Sequence, residues 1–164
     1  MSKRLRQYIG LLFSIAAYYI IHEGAHLLYA LSIGAFRQIN LIGLGVQVDV
    51  YADRMTPEQM GIFCLLGSVA TAATAYILTG SVHRIVRNTT PLFKACMYYV
   101  TTAMLLIDPL YLSLLCGFFG GGDMNGISLL LPEALARTVY GCILMVNGAV
   151  FIMAVLPKYK SAFE

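Results

Sequence analysis

Three residues in the first third of the chain have the types and spacing that metal-dependent hydrolysis requires. They are His22, Glu23 and His26, within the segment HEGAH. In a helix, residues four apart project from one face, so the two imidazoles converge on one point and the Glu23 carboxylate lies to its side. Two neutral nitrogen ligands with a carboxylate base beside them suit a zinc ion that activates water.

The HEGAH segment lies inside a long apolar run, where ionisable side chains are costly. Of the 164 residues, 59% are hydrophobic and 12% are charged, and the mean hydropathy is +0.76. A soluble domain carries roughly twice that charged fraction, and several apolar runs exceed the roughly 18 residues of a membrane-spanning helix. The composition therefore predicts an integral, multi-pass membrane protein. A mid-membrane charge costs about 2.5–3.5 kcal/mol, so we expect a function here, the alternative being a structural polar cluster.

The elements that would hold this segment follow from the apolar runs. We predict an all-α membrane protein in which residues 1–164 form a single intramembrane domain. Its transmembrane helices are predicted at about residues 8–33, 60–78, 92–119 and 133–156. Residues 38–51 partly alternate apolar and polar side chains and are rich in Val and Ile, which predicts a β-hairpin-like segment with a glycine-mediated turn. A glycine run at 120–122 predicts a bend before the last span.

Local signals mark several helix ends. Gly34 is typical of the residue that follows a helix. The run Thr56–Gln59 predicts a helix start with Thr as N-cap, Pro in the first turn and Gln completing a capping box. A second Thr-Pro pair, Thr90-Pro91, predicts another start, and Pro157 is expected to end the last span.

The distribution of lysine and arginine predicts the orientation. With four spans, one side of the membrane holds eight of these residues and the other side holds three, Arg37, Arg54 and Arg137. The positive-inside rule then places both termini in the cytoplasm. Because the basic residues flank apolar runs, the net charge of +3 does not indicate a nucleic-acid partner. Depth along the spans puts the HEGAH segment, Asp108 and Asp123 in the same, non-cytoplasmic half of the bilayer.

A catalytic zinc needs a third protein ligand, and two aspartates are candidates. Asp108 precedes Pro109, whose missing N–H loosens the helix, so its carboxylate could bond to freed backbone or support a ligand histidine. Asp123 follows the glycine run and could reach the zinc or simply cap the next helix. Asn125 could donate a hydrogen bond to a substrate carbonyl or only shape the turn.

The remaining residues of chemical interest have plainer interpretations. Four single cysteines, with no C-x-x-C pair, are expected to be packing residues: Cys64, Cys96, Cys116 and Cys142. His83 lies beside Arg84 in a basic connection and is expected to be a solvated residue at the membrane interface.

Together these motifs resemble those of site-2-protease-type intramembrane metalloproteases of the M50 family. The HEGAH segment in a first core span, the later segment GGDMNG at 121–126 and a proline-led final span are most similar to the compact bacterial M50B-like group. The resemblance covers about residues 15–145. The chain departs from better-known members in lacking the N-x-x-P-x-x-x-D-G motif around the acidic ligand.

The resemblance implies a set of roles. His22, His26 and Asp123 would bind one Zn²⁺, and Glu23 would be the catalytic residue that activates the zinc-bound water. It also implies a bacterial cell membrane as the location. The predicted function is hydrolysis of a peptide bond in a membrane-embedded or membrane-proximal substrate, with residues 38–51 holding the unwound substrate by β-strand addition.

A second class of function fits the same residues. A non-proteolytic zinc-binding membrane protein, such as a metal transport subunit or an inactive protease-like partner, would also place His and Asp at mid-membrane. Such a protein has no special use for Glu23 next to the first ligand, so the Glu23→Gln substitution separates the two classes.

Overall fold

The computed structural model describes residues 1–42 and 45–163 and confirms the predicted fold class. Four helical segments are long and apolar enough to cross a membrane, and a two-stranded antiparallel sheet follows the first of them. The length and composition of these segments make the chain a multi-pass membrane protein. The predicted glycine-mediated turn of the hairpin falls on 43–44, outside the described residues.

The helices and strands follow one another in a simple order. Their bounds are α1 Lys3–Ser32, β1 Phe36–Ile42, β2 Gly45–Val50, α2 Pro57–Val86, α3 Pro91–Leu110, α4 Asp123–Ile127, α5 Glu133–Val150 and α6 Leu156–Phe163. A 3₁₀ turn at Ala52–Arg54 leads into α2. The third span continues beyond α3 through a π-helical turn, Tyr111–Leu115, and a 3₁₀ turn, Cys116–Phe118. A second π-helical turn, Phe151–Val155, joins α5 to α6.

Three of the four local signals in the sequence define helix ends as predicted, whereas the prediction that Pro157 ends the last span is wrong. Gly34 has φ +70° after α1, and the N–H of Ala35 donates to the carbonyl of Ala30 at 2.9 Å. At the start of α2, the Thr56 hydroxyl accepts from the Gln59 N–H at 3.1 Å, and the Gln59 side chain accepts from the Thr56 N–H at 2.9 Å. The second Thr-Pro pair begins α3. These helix ends are closed by neighbouring residues alone.

Three helical segments extend further than the sequence predicts. The first begins at Lys3, the second continues to Val86, and the fourth continues through Pro157 to Phe163. Pro157 follows directly on the π-helical turn Phe151–Val155, and such a local adjustment of the hydrogen bonding lets a membrane helix continue past a proline that has no backbone N–H. A helix of 30 residues, such as α2, is about 45 Å long, whereas the hydrocarbon core is about 30 Å thick. Hydropathy therefore marks only the part of the helix inside the hydrocarbon.

The buried face of α1 consists of small and polar residues. Its members are Gly10, Ser14, His22, His26 and Ala30, which are separated by four residues or multiples of four. Large apolar side chains lie on the outer faces, and Ile20 is 73% exposed. This distribution is the reverse of a soluble helix and is expected where the outer surface contacts lipid.

Glycines at the bend position α4. Gly120, Gly121 and Gly122 have φ values of +80°, +86° and +50°, in the left-handed region that favours glycine. The bend turns the chain back so that Asp123 begins α4. Gly126 then packs against α2, because a Cβ at this position would lie 2.3 Å from the Cys64 Sγ. The sequence of α4 thus requires glycine for its close approach to α2.

Three of the four cysteines and the third histidine lie where the sequence predicts, whereas Cys142 is exposed on α5. All four cysteines are free, and three of them, Cys64, Cys96 and Cys116, are buried among packed side chains. His83 is exposed on α2, where its Nε2 accepts from the Arg87 guanidinium at 2.9 Å.

Candidate metal centre

The two histidines of α1 lie side by side in the interior. His22 is 7% exposed and His26 is 3% exposed, and their ring centroids are 4.9 Å apart. The Nδ1 of His26 lies 2.7 Å from the carbonyl oxygen of Phe63 on α2. Because a carbonyl only accepts hydrogen bonds, Nδ1 of His26 donates to it, and the Nε2 of this ring is the nitrogen directed towards a metal.

Asp108 fixes the other histidine from the opposite side. The Nδ1 of His22 lies 3.3 Å from Asp108 Oδ2, and Asp108 is 3% exposed. The hydroxyls of Tyr18 and Thr71 also donate to this carboxylate. With three donors around it, Asp108 is held as an acceptor, so His22 donates from Nδ1 and its Nε2 is available as a ligand.

Asp123 lies against the Nε2 atoms of both rings. Its Oδ2 is 3.0 Å from the Nε2 of His22 and 3.4 Å from the Nε2 of His26. The N-cap position of α4 is occupied by Gly122, so the interpretation of Asp123 as a simple cap is wrong. The two aspartates therefore occupy different positions, Asp108 at an Nδ1 and Asp123 at the Nε2 pair.

Gly67 on α2 borders the space between the ligand atoms. A Cβ at this position would lie 2.6 Å from the Nε2 of His22 and 2.6 Å from the Nε2 of His26. The absence of a side chain keeps α2 clear of the point on which both nitrogens converge. Two imidazole nitrogens and the Asp123 carboxylate oxygen form a donor set suited to Zn²⁺. The residues present therefore fit a zinc ion.

Glu23 lies beside this donor set on the next position of α1. One potential ligand atom from each of His22, Glu23 and His26 lies within 4.8 Å of the others. The Glu23 carboxylate is half-buried, and its Oε2 accepts from the Val48 N–H at 2.9 Å. An edge of β2 therefore fixes the position of the carboxylate.

Asn125 lies away from the donor set. Its side chain is exposed, and its Nδ2 donates to the carbonyl of Gly120 at 3.0 Å. A Cβ at Gly121 would lie 2.2 Å from Asn125 Oδ1, so the side chain folds over the glycine bend. These contacts are those of a residue that shapes the turn, and substrate binding by Asn125 stays a prediction.

The chain matches no protein-family model, no curated protein and no solved structure. Its resemblance to site-2-protease-type enzymes therefore stays a prediction that rests on the motifs.

Four residues that contact the histidines or Asp108 were not predicted from the sequence as part of the site. Tyr18 stacks on His22 with ring centroids 5.2 Å apart, and it lies one helical turn before it on α1. Phe63, Gly67 and Thr71 repeat at four-residue spacing on α2, and each contacts the histidines or Asp108. The four-residue spacing, together with the presence of a glycine and a hydroxyl on one face of an apolar helix, is a sequence signal that could have identified this face of α2.

Replacing Asp108 with asparagine is expected to weaken zinc binding by about 10–100-fold, as loss of a hydrogen-bond partner behind a ligand histidine generally does. The asparagine amide has the same shape, but its NH₂ group cannot accept from the hydroxyls of Tyr18 and Thr71. Chelator competition on the purified chain measures the change. The matched control is Thr101→Val, which alters another buried polar residue of α3 and should leave the affinity unchanged. Equal affinity in D108N and wild type would contradict the assignment.

Proposed function

We propose that the chain is an intramembrane zinc metalloprotease that hydrolyses a peptide bond of a membrane-embedded or membrane-proximal substrate. The observation that carries the proposal is the convergence of the Nε2 atoms of His22 and His26 with the Asp123 carboxylate beside Gly67. Each imidazole is held at Nδ1 by an acceptor, as ligand histidines usually are. Glu23 lies next to this group, where a hydrolase needs its base.

Each side chain of the proposed site has its own role in the hydrolysis. His22, His26 and Asp123 would bind the zinc, which when bound supplies a Lewis acid that polarises the scissile carbonyl and makes water more acidic. Glu23 takes a proton from the attacking water as the water oxygen bonds to the carbonyl carbon. As the C–N bond breaks, Glu23 gives that proton to the leaving nitrogen, so one water is consumed and an acid and an amine are formed.

The exposure of the site residues favours access from one direction. The two histidines are buried, whereas the Asp123 side chain is 23% exposed and Glu23 is half-buried. Water and substrate would therefore arrive from the side of α4 and the hairpin. This side lies next to the apolar outer surface of α1, which suits a substrate that comes from the bilayer.

The edge of β2 next to Glu23 is where we place the unwound substrate. A helical substrate must extend before its peptide bonds are accessible, and an extended segment can add to a strand edge. The Val48 N–H on this edge donates to Glu23. Since strand residues two apart point the same way, the Val46 N–H belongs to the same edge. A substrate strand added there would lie beside the catalytic carboxylate.

Replacing Val46 with proline is expected to lower cleavage by about 2–10-fold, the effect of one lost backbone hydrogen bond of about 0.5–1.5 kcal/mol. Zinc content should be unchanged, because the proposed ligands lie on α1 and α4 rather than on the hairpin and the Val48 N–H remains. Val46→Ala is the matched control, since it shortens the side chain and keeps the N–H. The measurement is cleavage of a co-expressed substrate together with zinc analysis. Cleavage by V46P at the level of V46A would exclude strand addition at this edge.

The function as a whole is tested by zinc analysis of the purified chain, combined with a co-expression cleavage assay of wild type and the E23Q variant. A single-pass membrane protein serves as the substrate. Bound zinc in both proteins, with cleavage by the wild type alone, supports the proposal. A wild-type chain that binds no zinc after loading overturns it and favours an inactive protease-like partner.

A further inference from the structure

A cavity lies at the opposite end of α1 from the histidines. It has a volume of about 450 Å³ and is formed where α1 begins, α3 begins and α6 ends. Along α1, Arg6 in its wall is about 24 Å from His22, at 1.5 Å per residue. The volume is within the range of roughly 300–1,000 Å³ typical of ligand pockets. The cavity is thus separate from the proposed protease site.

Three positive charges line this cavity. They belong to Lys3 and Arg6 on α1 and Lys160 on α6. Within residues 1–42 and 45–163, no carboxylate lines the cavity and none of the three forms an ion pair. Cations gathered on one cavity repel one another, and an anionic ligand relieves that repulsion.

The rest of the wall is apolar and aromatic. Tyr98 and Tyr159 pack edge to face with ring centroids 5.2 Å apart, and Leu156 lies one helical turn before Tyr159. Lys94 fixes α6 to α3, because its Nζ donates to the Ala162 carbonyl at 2.7 Å. The cavity therefore has firmly packed apolar walls beside its cationic group.

The position of the cavity along the helices matches the membrane interface. The 30 residues of α1 span about 45 Å, whereas the hydrocarbon core is about 30 Å thick. The first turns of α1, with Lys3 and Arg6, therefore extend to the depth of the lipid headgroups. The sequence also predicts this end to be cytoplasmic, and basic pockets between helices on that side of a membrane bind anionic headgroups.

We propose that this cavity binds the headgroup of an anionic glycerophospholipid, such as phosphatidylglycerol. The lipid phosphate pairs with Lys3, Arg6 and Lys160, and the glycerol backbone with the start of the acyl chains contacts Tyr98 and Leu156. A free phosphate ion would satisfy the charges and leave the apolar walls without a partner. A zwitterionic phospholipid such as phosphatidylcholine would cover the walls, but its choline cation offsets its phosphate, so it would add no net negative charge.

The test uses the full chain in nanodiscs that contain equal amounts of phosphatidylglycerol and phosphatidylcholine, with native mass spectrometry of the released protein. Wild type should retain phosphatidylglycerol in preference to phosphatidylcholine. The triple variant K3Q/R6Q/K160Q should retain it on the order of a hundredfold more weakly, about fivefold for each lost charge. The matched control R4Q/R84Q/K158Q removes three basic residues that lie outside the cavity wall. It should keep the wild-type preference.

The outcomes separate a lipid site from its alternatives. Equal loss of phosphatidylglycerol in both triple variants would show that general surface charge is responsible and would overturn the proposal. Displacement of the lipid by inorganic phosphate at moderate concentration would overturn it in favour of a phosphate site. Thermal unfolding of each purified variant serves as the folding control, so the test does not depend on zinc binding. Selective loss in K3Q/R6Q/K160Q, with the wild-type unfolding temperature retained, supports the proposal.

Discussion

A chain with Glu23 replaced by glutamine is expected to bind zinc like the wild type and to cleave its substrate about 10²–10⁴-fold more slowly, the usual contribution of a general base. The glutamine carbonyl oxygen can still accept from the Val48 N–H that fixes Glu23 at 2.9 Å. The side chain therefore stays in place and loses only its ability to take up a proton. Cleavage measured by co-expression, alongside zinc analysis, checks both halves of this expectation.

The matched control is Glu133→Gln, the same chemical change at an exposed residue at the start of α5. It should affect neither zinc nor cleavage. The E23Q result also separates the two classes of function that the sequence leaves open. A metal transport subunit binds its cargo through the histidines and Asp123, and it would keep most of its activity without the Glu23 charge. Wild-type cleavage by E23Q would exclude Glu23 as the base.

The sequence predicts those parts of the site that depend on local geometry. The four-residue spacing of His22 and His26 is enough to place both rings on one face of a helix. The start of α2 is equally local, because Thr56 and Gln59 cap it through bonds between residues three apart. The membrane spans are predictable for the same reason, because each is a continuous run of apolar residues that hydropathy detects without knowledge of distant contacts.

Contacts between residues far apart in the sequence cannot be predicted from local geometry. Asp108 and Asp123 are 86 and 101 residues from His22, and nothing in their neighbours shows which ring nitrogen each one meets. The structure separates them, because Asp108 lies at Nδ1 and Asp123 at Nε2. The partner of His26 is a backbone carbonyl, that of Phe63, and every residue has one. Such a partner has no sequence signal.

In the hairpin, the alternation of apolar and polar residues predicts the strands but not the residues that the strands contact. Alternation predicts the strand character of 38–51, and both strands form as an antiparallel pair. Alternation does not reveal that the outer edge of β2 meets α1 at Glu23, because this contact depends on how the hairpin packs after the first span. A backbone N–H from Val48 thereby holds a carboxylate that sequence alone would treat as free.

Gly67 offers the most direct test of whether the histidines form a metal site. Replacing it with alanine is expected to reduce zinc affinity by more than the roughly 10–100-fold that loss of an outer hydrogen-bond partner costs. The added methyl group would lie 2.6 Å from both Nε2 atoms, closer than carbon and nitrogen can approach. Neither ring can retreat easily, because Phe63 and Asp108 hold them at Nδ1. The methyl therefore occupies the space in which the ligands converge.

Helix stability cannot produce this loss, because alanine in a helix interior is favoured over glycine by about 1 kcal/mol. Gly80→Ala is the matched control on the same helix, since a Cβ there would meet nothing within 4 Å. Zinc titration of both purified variants, with thermal unfolding in the presence of a chelator, separates metal binding from folding. G67A should unfold somewhat below the wild-type temperature without zinc, because the methyl group crowds both rings, and it should gain little when zinc is added. If G67A bound zinc as tightly as G80A, the histidines would belong to a structural polar cluster instead, and the proposed metal centre would be wrong.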